Sequence, residues 1–119
     1  MSKRDSLVRL MKFKTGEKRR QVDQLQMMMG EFERMASELD AQISSEEKKA
    51  GISDVNHFAY PTFAKAARTR RDNLMDSVKD LRGQMSAANI ALEEAEAELA
   101  HAEKLEQRDQ MDERRSASA

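Results

Sequence analysis

The side chains that most often carry out enzymatic chemistry are scarce or scattered in this sequence. The 119 residues include no cysteine and two histidines, His57 and His101. A zinc site needs three or four ligands that converge in space, and a serine nucleophile needs a histidine base beside it. Two histidines far apart along the chain supply neither arrangement. We therefore predict no catalytic residues, no metal site and no other cofactor.

The glycines and the carboxylates do not form a ligand-binding motif either. Gly16, Gly30, Gly51 and Gly83 are isolated from one another, whereas a phosphate-cradling loop needs several glycines together. Acid–base catalysis uses carboxylates whose pKa values are shifted by burial or by nearby charges. We expect the many carboxylates here to lie on an open surface, where nothing perturbs their pKa values. The sequence thus predicts a protein that is not an enzyme.

The composition is that of long helices with a thin apolar stripe. Charged residues make up 36% of the chain and aromatic residues 4%, and there is one proline. A chain with so little apolar mass cannot bury a thick core. No apolar run approaches the roughly 18–20 residues that span a bilayer, and no apolar segment follows the basic N-terminus as it would in a secretory signal. We expect no direct membrane insertion.

Apolar residues recur at alternating steps of three and four in both halves of the chain, which is the heptad pattern of coiled coils. We call these positions the seam. In the first half the seam consists of Val8, Met11, Thr15, Lys18, Val22, Leu25, Met29, Phe32, Ala36, Leu39, Ile43, Glu46 and Ala50. In the second half it consists of Tyr60, Ala64, Ala67, Arg71, Leu74, Val78, Leu81, Met85, Ala88, Leu92, Ala95, Leu99 and Ala102. No strand-like alternation is present, so the predicted fold class is all-α.

One break separates the two seams. Gly51 is a natural helix end, because glycine takes the left-handed conformation without strain, and turn-forming residues follow it. Pro61 suits the first turn of the next helix. We predict helix 1 at about 3–50, a connection at 51–59, helix 2 at about 60–113 and a frayed tail at 116–119.

A connection this short makes the helices fold back on each other. The prediction is therefore a single antiparallel coiled-coil hairpin over residues 1–115. The two seams align when paired residue numbers add up to 110, as they do for Val8 with Ala102 and for Ile43 with Ala67. A slip of one heptad is the main competing register.

Charge is distributed unevenly along the chain. Residues 1–20 hold eight Lys/Arg against two acidic residues, a net charge of +6, and residues 93–113 hold nine acidic residues against two basic ones, a net charge of −7. Antiparallel folding brings these segments together and disfavours a parallel homodimer. The expected neighbours are Lys12 with Glu96 and Glu103, and Lys14 with Glu98. The alternative is a basic end that also contacts an acidic partner.

Nucleic-acid binding is not predicted, despite the basic cluster of Lys65, Arg68, Arg70 and Arg71. A basic-region reader is a bare basic helix that leads into a parallel zipper. Here the seam continues through the basic segments. No aromatic residues interleave with the basic ones to stack bases.

Three of the five aromatic residues lie at the turn, and they allow two interpretations. These are Phe58, Tyr60 and Phe63. In the first, Phe58 and Tyr60 fold over Ala50 and Ile52 and close the end of the hairpin. In the second, the aromatic residues and the nearby Arg68 form a partner-binding tip, because aromatics and arginine often anchor interfaces. The two interpretations are compatible.

The run Met27-Met28-Met29 is the other unusual feature, with Met29 on the seam and Met27 expected to point outward. Flexible methionine is common on surfaces that bind several partners, but one exposed methionine is also ordinary.

Several segments resemble the flagellar export protein FliJ family in its alphaproteobacterial form. They are Ser6-Leu-Val-Arg-Leu-Met-Lys-Phe, Glu17-Lys-Arg-Arg-Gln-Val, Glu31-Phe-Glu-Arg-Met-Ala-Ser-Glu-Leu-Asp, Ala50-Gly-Ile-Ser-Asp and His57-Phe-Ala-Tyr-Pro-Thr-Phe-Ala-Lys-Ala-Ala-Arg-Thr-Arg-Arg-Asp-Asn-Leu. The resemblance covers residues 5 to about 110. The most specific part of the resemblance is segment 50–74, because its sequence is irregular. The heptad segments are less specific, because coiled coils resemble one another by composition.

The resemblance implies a cytoplasmic protein, peripheral at the flagellar base on the inner membrane, in the type III export apparatus. Members of this family are antiparallel coiled coils that insert into the hexameric export ATPase ring, engage the membrane-embedded export gate and assist export chaperones. By analogy, the end that carries the termini enters the ring and the turn faces other partners. The expected ring-binding residues are Lys3, Arg4, Arg9, Lys12 and Lys14. The expected tip residues are Phe58, Tyr60, Phe63 and Arg68.

Two alternatives to an export stalk come from the residues themselves. One is a general escort chaperone that uses its outer-face methionine and aromatic residues. The other is a coiled-coil scaffold unrelated to the export ATPase.

Overall fold

A computed structural model describes residues 3–118 and contains two long α-helices. Helix α1 spans Lys3–Ala50 and helix α2 spans Thr62–Ser118. No strand occurs between residues 3 and 118. The chain is an all-α antiparallel two-helix hairpin, which confirms the fold class predicted from the heptad pattern and the short connection.

Contacts divide the chain into two compact units, each built from a segment of both helices. The terminal unit is Met1–Gln24 with Met85–Ala119, and the turn unit is Leu25–Gln84. In the terminal unit Arg4 contacts Asp109 and Arg19 contacts Glu96, so residue numbers rise along one helix as they fall along the other. That the chain forms a single domain over residues 1–115 stays a prediction.

The core of the turn unit supports the predicted register. Leu39, Ile43 and Ala67 form one buried cluster, and Leu74 packs against it. Ile43 and Ala67 are a predicted layer. A slip of one heptad would place Ala67 opposite Ala50, about 10 Å farther along α1, where its methyl group would not reach Ile43.

The seam predicted from the sequence is the buried stripe of both helices, with one exception. Every seam residue of the second half is buried or half-buried, and so are all those of the first half except Ala50. Val78 and Ala64 are fully buried. Ala50 is exposed because it is the last residue of α1 and the aromatic residues of the connection do not cover it.

Helix α1 ends before Gly51, as the sequence predicted, and the structure shows that this end is a Schellman motif. Gly51 has a φ of 68°, in the left-handed region that favours glycine. The Ile52 N–H donates to the Glu47 carbonyl at 3.3 Å, and the Gly51 N–H donates to the Lys48 carbonyl at 3.3 Å. These two bonds satisfy carbonyls that the end of the helix leaves without partners.

Helix α2 begins two residues later than predicted, so the connection is longer. The Tyr60 N–H donates to the His57 carbonyl at 3.0 Å, and the His57 N–H donates to the Asp54 carbonyl at 3.1 Å. These turn bonds hold Tyr60 outside the helix. The first helical bond runs from the Lys65 N–H to the Pro61 carbonyl at 3.0 Å.

At its other end α2 continues to Ser118, beyond the end predicted near residue 113. The Ser118 hydroxyl donates to the Arg114 carbonyl at 2.9 Å, and Arg115 lies in the last turn, where a positive charge is favourable. Residues 116–118 of the predicted frayed tail are helical, and Ala119 lies outside the described residues.

The helical glycines of the turn unit offer a test of the fold. A Cβ atom added at Gly30 or Gly83 would meet nothing within 4 Å. Glycine in a helix interior costs about 0.5–1 kcal/mol relative to alanine. We expect Gly30→Ala and Gly83→Ala each to raise the free energy of unfolding by about that amount, measured by urea denaturation at fixed protein concentration.

Gly51→Ala is the matched control. A Cβ atom added at Gly51 would also meet nothing within 4 Å, whereas the φ of this residue is 68°. A side chain in the left-handed region costs about 1–2 kcal/mol, so this variant should be less stable than the parent. Destabilisation by Gly30→Ala or Gly83→Ala would contradict the positions assigned to these residues.

Candidate protein-binding surfaces

The five basic residues predicted to bind a partner lie in the terminal unit, but they are not equivalent. Lys3, Arg9 and Lys12 are exposed. Lys14 is also exposed, and its Nζ lies 3.5 Å from Glu98 Oε2. Arg4 is half-buried and bonded across the helix pair. Three of the five therefore present their charge mainly to the surroundings.

Arg4 extends the seam from Val8 towards the N-terminus of α1, where it forms a polar layer. Its Nη1 donates to Asp109 Oδ1 at 2.9 Å and to the Leu105 carbonyl at 3.3 Å. Arg4 stands one heptad before Met11 on the seam, so its side chain points towards α2. Its guanidinium group therefore stabilises the terminal unit from within, a role that a search for apolar seam residues misses.

Two acidic side chains meet beside this layer. A side-chain hydrogen bond with Asp5 raises the pKa of Glu106, and partial burial and the charges of Asp5 and Glu103 add to this effect, whereas Lys12 opposes it. The carboxyl groups were expected to lie where nothing perturbs their pKa values. That expectation is wrong for Glu106, because the antiparallel register brings a second carboxyl group to it.

The exposed ion pairs across the terminal unit agree in part with the sequence prediction. Lys14 pairs with Glu98 as predicted, whereas Glu96 pairs with Arg19, at 3.4 Å, rather than with Lys12. Helical side chains lean towards the N-terminus of their own helix. In an antiparallel pair, each of two contacting side chains therefore starts from a residue slightly later in its own helix than the layer where they meet. The numbers of two such residues add up to more than 110, the sum that defines the seam layers. Each such pair is worth only a few tenths of a kcal/mol.

The terminal unit also exposes an apolar strip that the sequence analysis did not single out. Leu7, Leu10 and Phe13 are 40%, 57% and 65% exposed. Their spacing of three residues puts them on one side of α1, off the seam. The signal was present in the sequence, because these are large apolar residues outside the heptad pattern. They add apolar area to a surface that was predicted from charge alone.

At the turn, Tyr60 is buried within a polar network. Its hydroxyl group donates to Glu47 Oε2 at 2.9 Å and accepts from Arg68 Nε at 2.9 Å. Arg68 Nη2 also donates to Glu47 Oε2, at 3.2 Å. The hydrogen bond to Tyr60, and then that to Glu47, raise the pKa of Arg68. Tyr60 and Arg68, both predicted to bind a partner, are thus engaged in closing the turn.

The other two predicted tip residues face outward. Phe58 is 97% exposed and stacks on His57, with ring centroids 4.7 Å apart. The Ala59 N–H donates to His57 Nδ1 at 3.0 Å, which holds the imidazole in place. Phe63 is 56% exposed. The interpretation that Phe58 and Tyr60 fold over Ala50 and Ile52 is wrong for Phe58, and Ala50 stays exposed; Tyr60 alone is buried at this end, bonded to Glu47 and Arg68.

Two polar residues on the seam have hydrogen-bond partners close by. Thr15 is buried, and its hydroxyl group donates to the Met11 carbonyl at 2.7 Å. Arg71 Nη1 donates to Asp40 Oδ1 at 2.8 Å, and this hydrogen bond raises the pKa of Arg71. Because Arg71 reaches one particular carboxylate across the helix pair, the contact helps to define the register of the turn unit.

The described residues 3–118 contain no group of three or more side chains arranged to hold a metal ion. Neither described helix has a stretch apolar enough to cross a membrane. That the protein has no catalytic activity and no cofactor stays a prediction.

Comparisons with known proteins give no assignment, since no family model, no curated protein and no solved structure matches the chain significantly.

The network at the turn yields a stability prediction. Tyr60→Phe removes the hydroxyl group that bonds to Glu47 and Arg68, but leaves the Arg68–Glu47 contact of 3.2 Å in place. We expect the free energy of unfolding to fall by about 1–2 kcal/mol, measured by chemical denaturation. Phe58→Ala is the control, since Phe58 is almost fully exposed and such changes stay within about 0.5 kcal/mol. Equal effects of the two variants would contradict the proposed role of Tyr60.

The pKa of Glu106 predicts a pH dependence of stability. Because folding raises this pKa, the free energy that Glu106 contributes to folding is most favourable below its unfolded pKa and is lost as pH rises through its folded pKa. We expect Glu106→Gln to raise the melting temperature at neutral pH and to lose this advantage in acid. Asp112→Asn, also on α2 and exposed, serves as the control. An advantage of Glu106→Gln that does not change with pH would contradict the contact with Asp5.

Proposed function

We propose that this protein is a stalk-like component of the flagellar type III protein export apparatus. In this role it binds the hexameric export ATPase and the export gate and assists the delivery of chaperones and substrates at the flagellar base, on the cytoplasmic side of the inner membrane. The observation that carries the proposal is the resemblance of the irregular segment 50–74. The antiparallel two-helix fold, which the resemblance implied, supports it.

The terminal unit offers surface chemistry suited to the inside of a ring. Exposed Lys3, Arg9 and Lys12 provide positive charge, and exposed Leu10 and Phe13 provide apolar contact area beside it. A helix pair has no rotational symmetry that matches a six-fold ring. It therefore contacts the ring subunits unequally, and such unequal contacts bias the subunits towards different states.

The turn supplies the second contact in this proposal. Phe58 and Phe63 are exposed on a segment that Gly51 and the Glu47–Tyr60–Arg68 network hold in a defined shape. Exposed aromatic side chains on a rigid support are efficient interface anchors, because little conformational entropy is lost when they bind. We assign the export gate or other export partners to this end.

The second candidate function is a general escort chaperone, for which the exposed Met27 is the supporting observation. Met27 is 69% exposed, as the sequence predicted, and flexible methionine adapts to different client surfaces. An escort would depend on the outer faces of the helices and not on the basic residues near the N-terminus.

The double variant Arg9→Glu with Lys12→Glu tests the proposal against this alternative. Reversing two exposed charges should raise the protein concentration needed for half-maximal stimulation of the export ATPase by about tenfold, equivalent to about 1.4 kcal/mol. The measurements are ATPase rate and pull-down with the export ATPase. Lys65→Glu, an exposed charge reversal in the turn unit, should leave both unchanged.

If the unmodified protein neither binds the export ATPase nor changes its rate, the stalk proposal is wrong. If Arg9→Glu with Lys12→Glu weakens stimulation of the export ATPase about tenfold while binding of client proteins persists, the result supports a stalk over an escort. If the Lys65→Glu control weakens binding and stimulation of the export ATPase to the same extent, the contact with the ATPase does not belong to the terminal unit.

A further inference from the structure

The two sides of the seam in the turn unit differ in their chemistry. On one side, ion pairs link the helices: Arg68 Nη2 lies 3.2 Å from Glu47 Oε2, and Arg71 Nη1 lies 2.8 Å from Asp40 Oδ1. On the other side, no ion pair joins the helices among the described residues of this unit. We call that second side the g face, after the heptad position that flanks the seam there. Its members are Met28, Met35, Gln42, Lys49, Phe63, Arg70, Ser77 and Gln84.

The g face collects large apolar side chains that remain accessible. Met28, Met35 and Phe63 are 44%, 38% and 56% exposed. The two methionines are one heptad apart on α1, so they project in the same direction. Across from them, α2 contributes Ser77, which is half-buried, and the uncharged Gln84. Small and neutral residues opposite methionine leave room for the side chains of a third helix to enter between the first two.

The charges along the edges of the g face indicate what would bind there. The edge on α1 carries Glu31 and Glu38, and the edge on α2 carries Asp80, all three exposed. Glu38 lies 3.4 Å from Arg34 on its own helix. At the end nearest the turn the sign changes, because Arg70 and Lys49 are exposed there, with Lys49 Nζ 3.9 Å from Glu46 Oε1 on its own helix. The edges are therefore acidic along their middle and basic at one end.

From this arrangement we infer that the g face binds an amphipathic helix whose apolar stripe is flanked by lysine and arginine. The apolar stripe covers Met28 and Met35, and the flanking cations lie near Glu31 and Asp80. A helix C-terminus carries partial negative charge, so the C-terminal end of the bound helix lies towards Arg70 and Lys49. This mode of recognition is helix-in-groove binding, for which adaptable methionine is well suited.

A second copy of this chain packed in the same direction is a poorer occupant of the g face, because it would bring the acidic edges of both copies together, and like charges at an interface oppose association. A second copy packed in the opposite direction would set its basic end against the acidic edges, and the sedimentation measurement described below tests for it. The inference does not depend on the proposed role in flagellar export, since it uses only the turn unit and its charges.

The binding test uses two synthetic peptides and the full-length protein. The α1 segment from Met28 to Lys49 spans about 30 Å at 1.5 Å per residue, which matches a helix of about 21 residues. One peptide carries a leucine stripe flanked by lysine and arginine, and the other carries the same stripe flanked by glutamate. The methyl resonances of the methionines, nine in the chain, report the site by NMR.

The expected result is that the basic peptide shifts the resonances of Met28 and Met35 and leaves those of Met27 and Met75 unchanged. Met75 is 42% exposed, close to the value for Met28, but it lies on the ion-paired side. The double variant Met28→Ser with Met35→Ser should raise the Kd for the basic peptide at least tenfold. The matched variant Met27→Ser with Met75→Ser should change it less than twofold.

Three outcomes would overturn the inference. The acidic peptide binding as tightly as the basic one would remove the role of the acidic edges. Equal weakening by the two double variants would show that binding is not localised to the g face. A dimer in sedimentation that Met28→Ser with Met35→Ser dissociates would show that a second copy occupies this face.

Discussion

A pair of helices can bury only the side chains of their shared seam, and every other residue keeps part of its surface in water. This constraint governs the whole structure. The buried positions are mostly small, with Ala64 and Val78 the most completely covered, so each layer removes little apolar area from water. Stability must therefore come from many repeated layers and from well-formed ends. The connection between the helices and the layers next to it consequently matter more than they would in a globule.

The two ends of the seam are closed by polar groups because apolar residues there would have nothing to cover them. At the turn, Gly51 caps α1 and Tyr60 fills the space beside the last layers while its hydroxyl group stays bonded to Glu47 and Arg68. In the terminal unit, Arg4 reaches across to Asp109 and to a backbone carbonyl. Both closures exploit long side chains, whose polar tips stay partly hydrated while their stems cover the neighbouring layer.

The seam and the break at Gly51 could be read from the sequence because they depend on periodicity and on one local conformation. The details that the sequence analysis missed depend on partners distant in the chain. Phe58 and Tyr60 are both large and aromatic, yet Tyr60 lies at a seam position and is buried with its hydroxyl group bonded to Glu47 and Arg68, whereas Phe58 lies in the connection and is almost fully exposed. The raised pKa of Glu106 likewise depends on Asp5, which is near it only after the helices pair. The composition of the chain does not reveal contacts between residues on different helices, whereas the register of the helix pair does.

In a fold with a single thin seam, large apolar residues outside the seam are informative because stability does not require them there. Leu10 and Phe13 in the terminal unit, and Met28 and Met35 in the turn unit, are exposed at positions where lysine or glutamate would be equally compatible with the helix. A single exposed apolar side chain is ordinary, but several that lie together on one face favour association and indicate an interaction surface. The asymmetry of the turn unit sharpens this argument. One side of its seam is joined by ion pairs, while no ion pair joins the helices on the opposite side of the described turn unit, where Met28, Met35 and Ser77 lie. Ion pairs on both sides would have served a helix pair that acts alone, whereas a side without ion pairs between the helices stays available for a third helix.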